Sequence, residues 1–128
     1  MAKILNIVES AYRATLEEQD DTVLWFAHML ANAGADIAIL LRGNAVNYLA
    51  KEQRVGDLSF GGEGLGNPPR LAEDVAALHT KKNVPIYYVE EDARERGLGE
   101  SSRIELGESI PRSGLPKLVA AYDRVFHW

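Results

Sequence analysis

The chain has 128 residues, enough for one domain with a real core, and 46% hydrophobic with 26% charged residues is ordinary for a globular protein. Fourteen basic residues stand against 19 acidic ones, a net charge of −5, and the basic ones are scattered, so a nucleic-acid surface is not expected. Cysteine is absent, which excludes disulfides, thiolate metal sites, thiol catalysis and persulfide carriage by this polypeptide.

In chain order, Lys3 to Val8 reads as a first strand, in which Asn6 needs a hydrogen-bond partner if buried. Glu9 to Ala14 is a loop at its carboxyl end. Thr15 followed by Glu18 makes a capping box, so a helix is expected from Leu16 to Ala33, with Leu16, Val23, Phe26, Met29 and Leu30 as its core stripe, Trp25 beside it, and Gly34 as its end. Asp36 to Leu41 is a second strand, apolar on both faces. Arg42-Gly43-Asn44 turns into a short helix, Ala45 to Lys51.

Residues 53–69 carry no regular pattern and hold Gly61-Gly62-Glu63-Gly64-Leu65-Gly66 and Pro68-Pro69, as expected of a functional or mobile loop. A helix from Arg70 to Lys81 would bury Leu71, Val75 and Leu78, with Pro69 in its first turn. Val84 to Val89 is a buried strand that runs into an acidic helix start, Glu90-Glu91-Asp92, and a short helix closed by Gly97. Arg103 to Leu106 and Ile110-Pro111 are too short to assign. Ser113-Gly114-Leu115-Pro116 opens a last helix to Tyr122, and Asp123 to Trp128 reads as a final edge strand.

This order predicts an α/β fold: a mostly parallel, five-stranded, flavodoxin-like sheet with helices on both faces, a three-layer α/β/α arrangement in one domain over residues 1–128. Right-handed crossovers would set strand 1 beside strands 2 and 3, with Glu9, Arg42 and Glu90 along one carboxyl edge, where open α/β sheets usually place their ligands. No apolar run approaches the roughly 20 residues of a membrane helix, and Met1-Ala2-Lys3-Ile4 leads straight into a strand pattern, so neither a membrane span nor a signal peptide is expected and the cytoplasm is the default. His28, His79 and His127 lack ligand spacing and are expected in surface or helix-face packing, so no metal and no cofactor are called for.

Four stretches together resemble the DsrE/DsrF-like family of sulfur relay and sulfur oxidation: Ile4-Leu5-Asn6-Ile7-Val8; the strand leading to Arg42-Gly43-Asn44-Ala45-Val46; Val84-Pro85-Ile86-Tyr87-Tyr88-Val89 with Arg96-Gly97-Leu98; and Ala121-Tyr122-Asp123-Arg124-Val125. The resemblance implies a DsrE-like domain that assembles into trimers or hexamers of like or related subunits. It also implies a sulfur-accepting cysteine in active members, whose place here falls on Val89, and in some members a second one near Asp92. This chain departs from the family pattern at the residue that carries the activity.

Three candidate sites follow from the residues. At the carboxyl edge, Glu9, Ser10, Arg13, Arg42, Asn44, Glu90, Glu91 and Asp92 could form a ligand pocket, with Glu9 and Glu90 as an acid/base pair if they converge. Alternatively Arg13 and Arg42 neutralise the acids, while Glu91 and Asp92 favour the helix start. Gly62-x-Gly64-x-Gly66 superficially resembles a phosphate loop but lacks the lysine-serine ending and the strand–helix context, so a lid or subunit-contact loop is the better expectation. Among the aromatic residues Trp25, Tyr48, Phe60, Tyr87, Tyr88, Phe126 and Trp128, most are expected in the core. Phe126 and Trp128 either form an intersubunit contact or lie under Val119 and Tyr122.

The expected function is that of a cysteine-free, DsrE-like binding or structural partner in sulfur metabolism. It would be oligomeric, alone or with DsrE-like subunits, and would contact a cysteine-bearing relative or a small sulfur-carrier protein. The alternative is a small-molecule-binding protein or enzyme that uses the carboxylate/arginine pocket, and nucleotide binding through the glycine loop ranks third.

Overall fold

Residues 2–10, 21–53, 59–64 and 70–128 are described by the computed structural model. Strand β1 (Lys3–Val8) is followed by α1 (Thr22–Asn32), β2 (Asp36–Leu41) and a 3-10 helix, Gly43–Leu49. A small hairpin, β3 (Ser59–Phe60) with β4 (Glu63–Gly64), precedes α2 (Leu71–Lys82), β5 (Ile86–Val89) and α3 (Glu90–Glu95). The chain continues through β6 (Glu108–Ile110), a 3-10 turn at Arg112–Gly114, α4 (Leu115–Ala120) and β7 (Arg124–His127).

The main sheet is five-stranded in the order β6-β5-β2-β1-β7 with every pair parallel, an α/β fold of the flavodoxin-like class. The adjacency within it differs from the expectation: β1 lies between β2 and β7, and the third long strand, β5, pairs with β2 instead. The winding explains the layers. Three successive right-handed crossovers run in one direction, from β1 to β2 to β5 to β6, so their helices fall on the same face; the return to β7 puts α4 on the other.

The first face is the thick one. Val8, Ile37, Ile39, Leu41, Ile86 and Tyr88 from the strands are buried with Val23, Leu24 and Ala27 of α1, Val46, Tyr48 and Leu49 of the 3-10 helix, and Leu71, Val75 and Leu78 of α2. On the second face Leu5, Ile7, Ala38, Leu40 and Val89 are covered by Leu115, Leu118, Val119, Tyr122 and Tyr87.

Several element ends are set by backbone stereochemistry. Gly97, at φ +72°, closes α3 in a Schellman motif: its N–H donates to the Arg94 carbonyl at 3.1 Å and that of Leu98 to Ala93 at 2.9 Å. Gly34, at φ +84°, ends α1 in the same way, with Gly34 bonded to Ala31 and Ala35 to Leu30. Helix α1 starts later than expected. Asp21 is its N-cap, and the carboxylate accepts from the N–H groups of Val23 and Leu24 at 2.9 and 3.0 Å, while the Thr15/Glu18 capping box and Leu16 lie outside the described residues. The buried stripe also differs from the expected one. Leu24 and Ala27 are buried beside Val23, Phe26 and Leu30 are half-buried, and Met29 and Trp25 are exposed, Trp25 at 54%.

Candidate functional site

The carboxyl ends of the parallel strands bring together residues distant in sequence. Glu9 follows β1, Arg42 follows β2, Glu90 to Asp92 open α3 directly after β5, and His127 closes β7. The order of strands reverses at β1, whose neighbours are its immediate successor β2 and the last strand β7, so the crevice between the ends of β1 and β7 is a topological switch point.

The Glu9 carboxylate sits at that point and is held on both oxygens. Oε1 accepts from Arg42 Nε at 2.9 Å, and Oε2 lies 3.3 Å from His127 Nε2. The three side chains are 37–52% exposed, so water screens this bridge. Its backbone is firmly placed: the Glu9 N–H donates to the Trp128 carbonyl at 2.9 Å, and the Trp128 N–H donates to Ile7 at 2.8 Å. Below it, Asn6 is fully buried, and its Oδ1 accepts from Trp128 Nε1–H at 3.3 Å while its Nδ2 has no partner among the described residues. Ser10 is exposed, with its carbonyl 3.4 Å from the Tyr48 hydroxyl. Arg13 lies outside the described residues.

A second cluster surrounds Asp92, which is buried. One carboxylate oxygen accepts from the Gly43 N–H at 2.8 Å and the other from Arg112 Nη2 at 2.6 Å. Burial alone would raise the Asp92 pKa; the Gly43 N–H and the Arg112 guanidinium outweigh it and hold the carboxyl below its usual range. Glu91 accepts the Arg112 main-chain N–H on both oxygens at 2.9 Å, and that bond lowers its pKa in turn. The Asp92 hydrogen bond, then that of Glu95, stabilises the charged form of Arg112. Asn44 accepts from Arg96 Nε at 3.0 Å. These bonds staple α3 to the 3-10 helix on one side and to the 112–114 turn on the other.

The first-turn acids therefore divide. Glu91 and Asp92 are saturated with internal donors, whereas Glu90 is exposed. Glu9 and Glu90 project from strands with β2 between them, roughly 10 Å apart at the backbone for two strand spacings, so the pairing of strands does not bring them together. Val89, the last residue of β5, has no exposed surface and packs with Leu5, Ile7, Ala38 and Leu40. Among the described residues no three His, Asp or Glu side chains form a set that could hold a metal ion, and no helix is long and apolar enough to cross a membrane.

The glycine stretch has a simpler geometry. Phe60 pairs with Glu63 across Gly61 and Gly62, which have φ of +60° and +86°, the positive values that a two-residue type I′ hairpin turn requires. Gly64 is in β4, and Gly66 lies outside the described residues.

Two residues escaped the sequence reading. His127 had no ligand spacing to mark it; only its place on the final strand, once that strand is set beside β1, brings it to Glu9. Arg112 lies in an unassigned loop, and nothing local tied it to Asp92.

No family model matches the sequence, and none of the curated proteins does. Solved structures do. The ychN protein from E. coli matches with a TM-score of 0.68 at 17% sequence identity over 100% of both chains. The protein of unknown function MTH1491 from Methanobacterium thermoautotrophicum matches with a TM-score of 0.61 at 13% identity, again over 100% of both. Likeness at these identities carries the fold: a flavodoxin-like α/β domain with its polar clusters at the carboxyl edge of the sheet.

Proposed function

We propose that this chain is a cysteine-free member of the DsrE/DsrF-like group, acting in the cytoplasm as a binding or structural partner in sulfur metabolism. It contacts a cysteine-bearing relative or a small sulfur-carrier protein and takes up no sulfur itself. The observation that carries this reading is Val89. At the carboxyl end of β5, where the resemblance places the sulfur-accepting thiol, stands a fully buried valine in the second-face core. Near the place of the second cysteine, Asp92 is tied to Gly43 and Arg112. Both positions are spent on packing and cross-bracing, which suits a subunit that keeps the scaffold and leaves sulfur chemistry to its partner.

The test is native mass spectrometry of the protein gently purified from its own cells. Stoichiometric co-purification with a cysteine-bearing subunit of the same fold, or with a small sulfur carrier, is the expected result. Recovery free of any cysteine-bearing protein overturns the proposal.

A second reading rests on the Glu9–Arg42–His127 bridge at the switch point: a small anionic molecule displaces Glu9 and takes Arg42 and His127 as its donors. Under it the same spectrum carries added small-molecule mass, and Arg42→Ala removes that mass. A bare spectrum rejects this reading.

A further inference from the structure

The two edges of the sheet are unlike. At one, β6 has three residues, begins after Gly107 (φ +88°), carries the exposed Glu108 and is followed by Pro111, devices that blunt an edge against further pairing. At the other, β7 lies outermost and every one of its residues is exposed. Val125, Phe126 and Trp128 expose 40%, 37% and 37% of their surface, and among the described residues no strand pairs with the outer side. An open edge carrying apolar side chains is a pairing surface unless something covers it.

We infer that the β7 edge binds the β7 edge of a second copy of this chain, antiparallel about a two-fold axis at Phe126, so that two sheets join into one of ten strands.

The backbone phase selects this register. Trp128 donates its N–H to Ile7 and accepts from Glu9, so both its main-chain groups face β1; by alternation those of Phe126 do too, and those of Val125 and His127 point outward. A two-fold at Phe126 sets Val125 opposite His127 of the second copy, and the reverse, so outward groups meet outward groups in both hydrogen-bonded pairs. The two Phe126 residues then form the close, non-hydrogen-bonded pair between them.

Side-chain chemistry agrees with that register and names a second copy as the occupant. Residues paired in a parallel ladder share a face, so Phe126 lies on the face of Asn6, with α1. Its ring is 6.3 Å from Phe26, whose ring is 5.8 Å from Trp128 in an edge-on arrangement. The two-fold merges these rings from both copies into one aromatic cluster. It also places Arg124 opposite Trp128 of the second copy. Arg124 forms no ion pair among the described residues, and an indole face is a fitting partner for a guanidinium. The strand is thus complementary to itself: cation to indole, phenyl to phenyl, ladder to ladder.

The absence of native cysteine makes a clean test. Sedimentation of the full chain over a concentration series is expected to show two-fold association, which Phe126→Lys weakens at least about tenfold by setting two ammonium groups face to face. Because that change also removes a contact with Phe26, a second measurement keeps folding separate. Phe126→Cys under diamide is expected to cross-link rapidly into a covalent dimer, since facing residues of the close pair fall within disulfide reach. Val125→Cys is expected to remain uncross-linked, because its counterpart lies more than about 7 Å away. A larger oligomer supports the inference if Phe126→Cys cross-links within it and Val125→Cys does not. A chain that stays monomeric, or an oligomer in which the two cysteine variants cross-link alike, overturns it.

Discussion

The main-chain N–H of Glu9 donates to the carbonyl of Trp128 at 2.9 Å, so the carboxyl end of β1 is fixed to the carboxyl end of the last strand. That bond builds the switch point. It holds His127 beside the Glu9 carboxylate and seats the Trp128 indole over the buried Asn6. The consequences can be tested one interaction at a time.

Asn6 is fully buried and its amide oxygen is bonded to the indole of the partly exposed Trp128. Trp128→Phe removes the one hydrogen bond of the Asn6 side chain among the described residues and is expected to destabilise the fold by about 1–3 kcal/mol, the cost of a stranded buried amide. Asn6→Leu combined with Trp128→Phe removes both partners together and should recover most of that loss. Urea unfolding of the two variants checks it; equal losses would refute the pairing.

Asp21 and Tyr48 join α1 to the 3-10 helix through a 2.5 Å hydrogen bond between two buried side chains, and Asp21 also caps α1. Tyr48→Phe is expected to cost about 1–3 kcal/mol, and Asp21→Ala more, because it removes the cap as well. A double-mutant cycle should give a coupling of about 0.5–3 kcal/mol. Additive losses would show that the two act separately.

Acid should loosen α3 first. The Asp92 carboxyl has a folded-state pKa below its unfolded value, so the stabilisation it supplies is complete above the usual carboxylate range and is lost as pH falls through the depressed folded value. Thermal melting of the native chain should therefore drop on acidification below about pH 4, and Asp92→Asn should flatten that drop while lowering the neutral-pH melting temperature. An unchanged acid slope in the variant would assign the pH dependence elsewhere.

The bridge from Glu9 to Arg42 should contribute little to stability. Both side chains are well exposed, and Arg42→Ala is expected to cost less than about 1 kcal/mol, falling further in 0.5 M salt. Chemical denaturation at two ionic strengths measures this. A loss several times larger would make the bridge part of the folding framework rather than of a surface site.

Gly97→Ala should cost about 1–2 kcal/mol through backbone strain alone, since φ is +72° and an added Cβ meets nothing within 4 Å. A neutral effect in thermal melting would mean that the Schellman turn relaxes freely.

Local stereochemistry determined what the amino-acid sequence by itself could determine. The β-branched and apolar runs at 3–8, 36–41 and 84–89 had to be buried strands, Gly34 and Gly97 had to end helices because only glycine enters their φ freely, and a chain without cysteine had to be without thiol chemistry. Those rules act over a few residues, and there the elements matched, with β5 beginning two residues later, at Ile86. Tertiary contacts decided the rest. The local pattern points to Thr15 as the cap of α1, whereas the cap is Asp21, which is tied to Tyr48 across the core. Trp25 and Met29 lie on the side of that helix turned away from the sheet. Val119 and Tyr122 pack on the second face, while Phe26 meets Phe126 and Trp128 on the first, because the return from β6 to β7 reverses the side on which its helix lies. Right-handed crossovers allow β5 beside β1 or beside β2, and with β7 occupying the free side of β1, β5 pairs with β2. The β2–β5 pairing separates Glu9 from Glu90, and the β1–β7 pairing delivers His127 to Glu9, a placement that no spacing along the chain encodes.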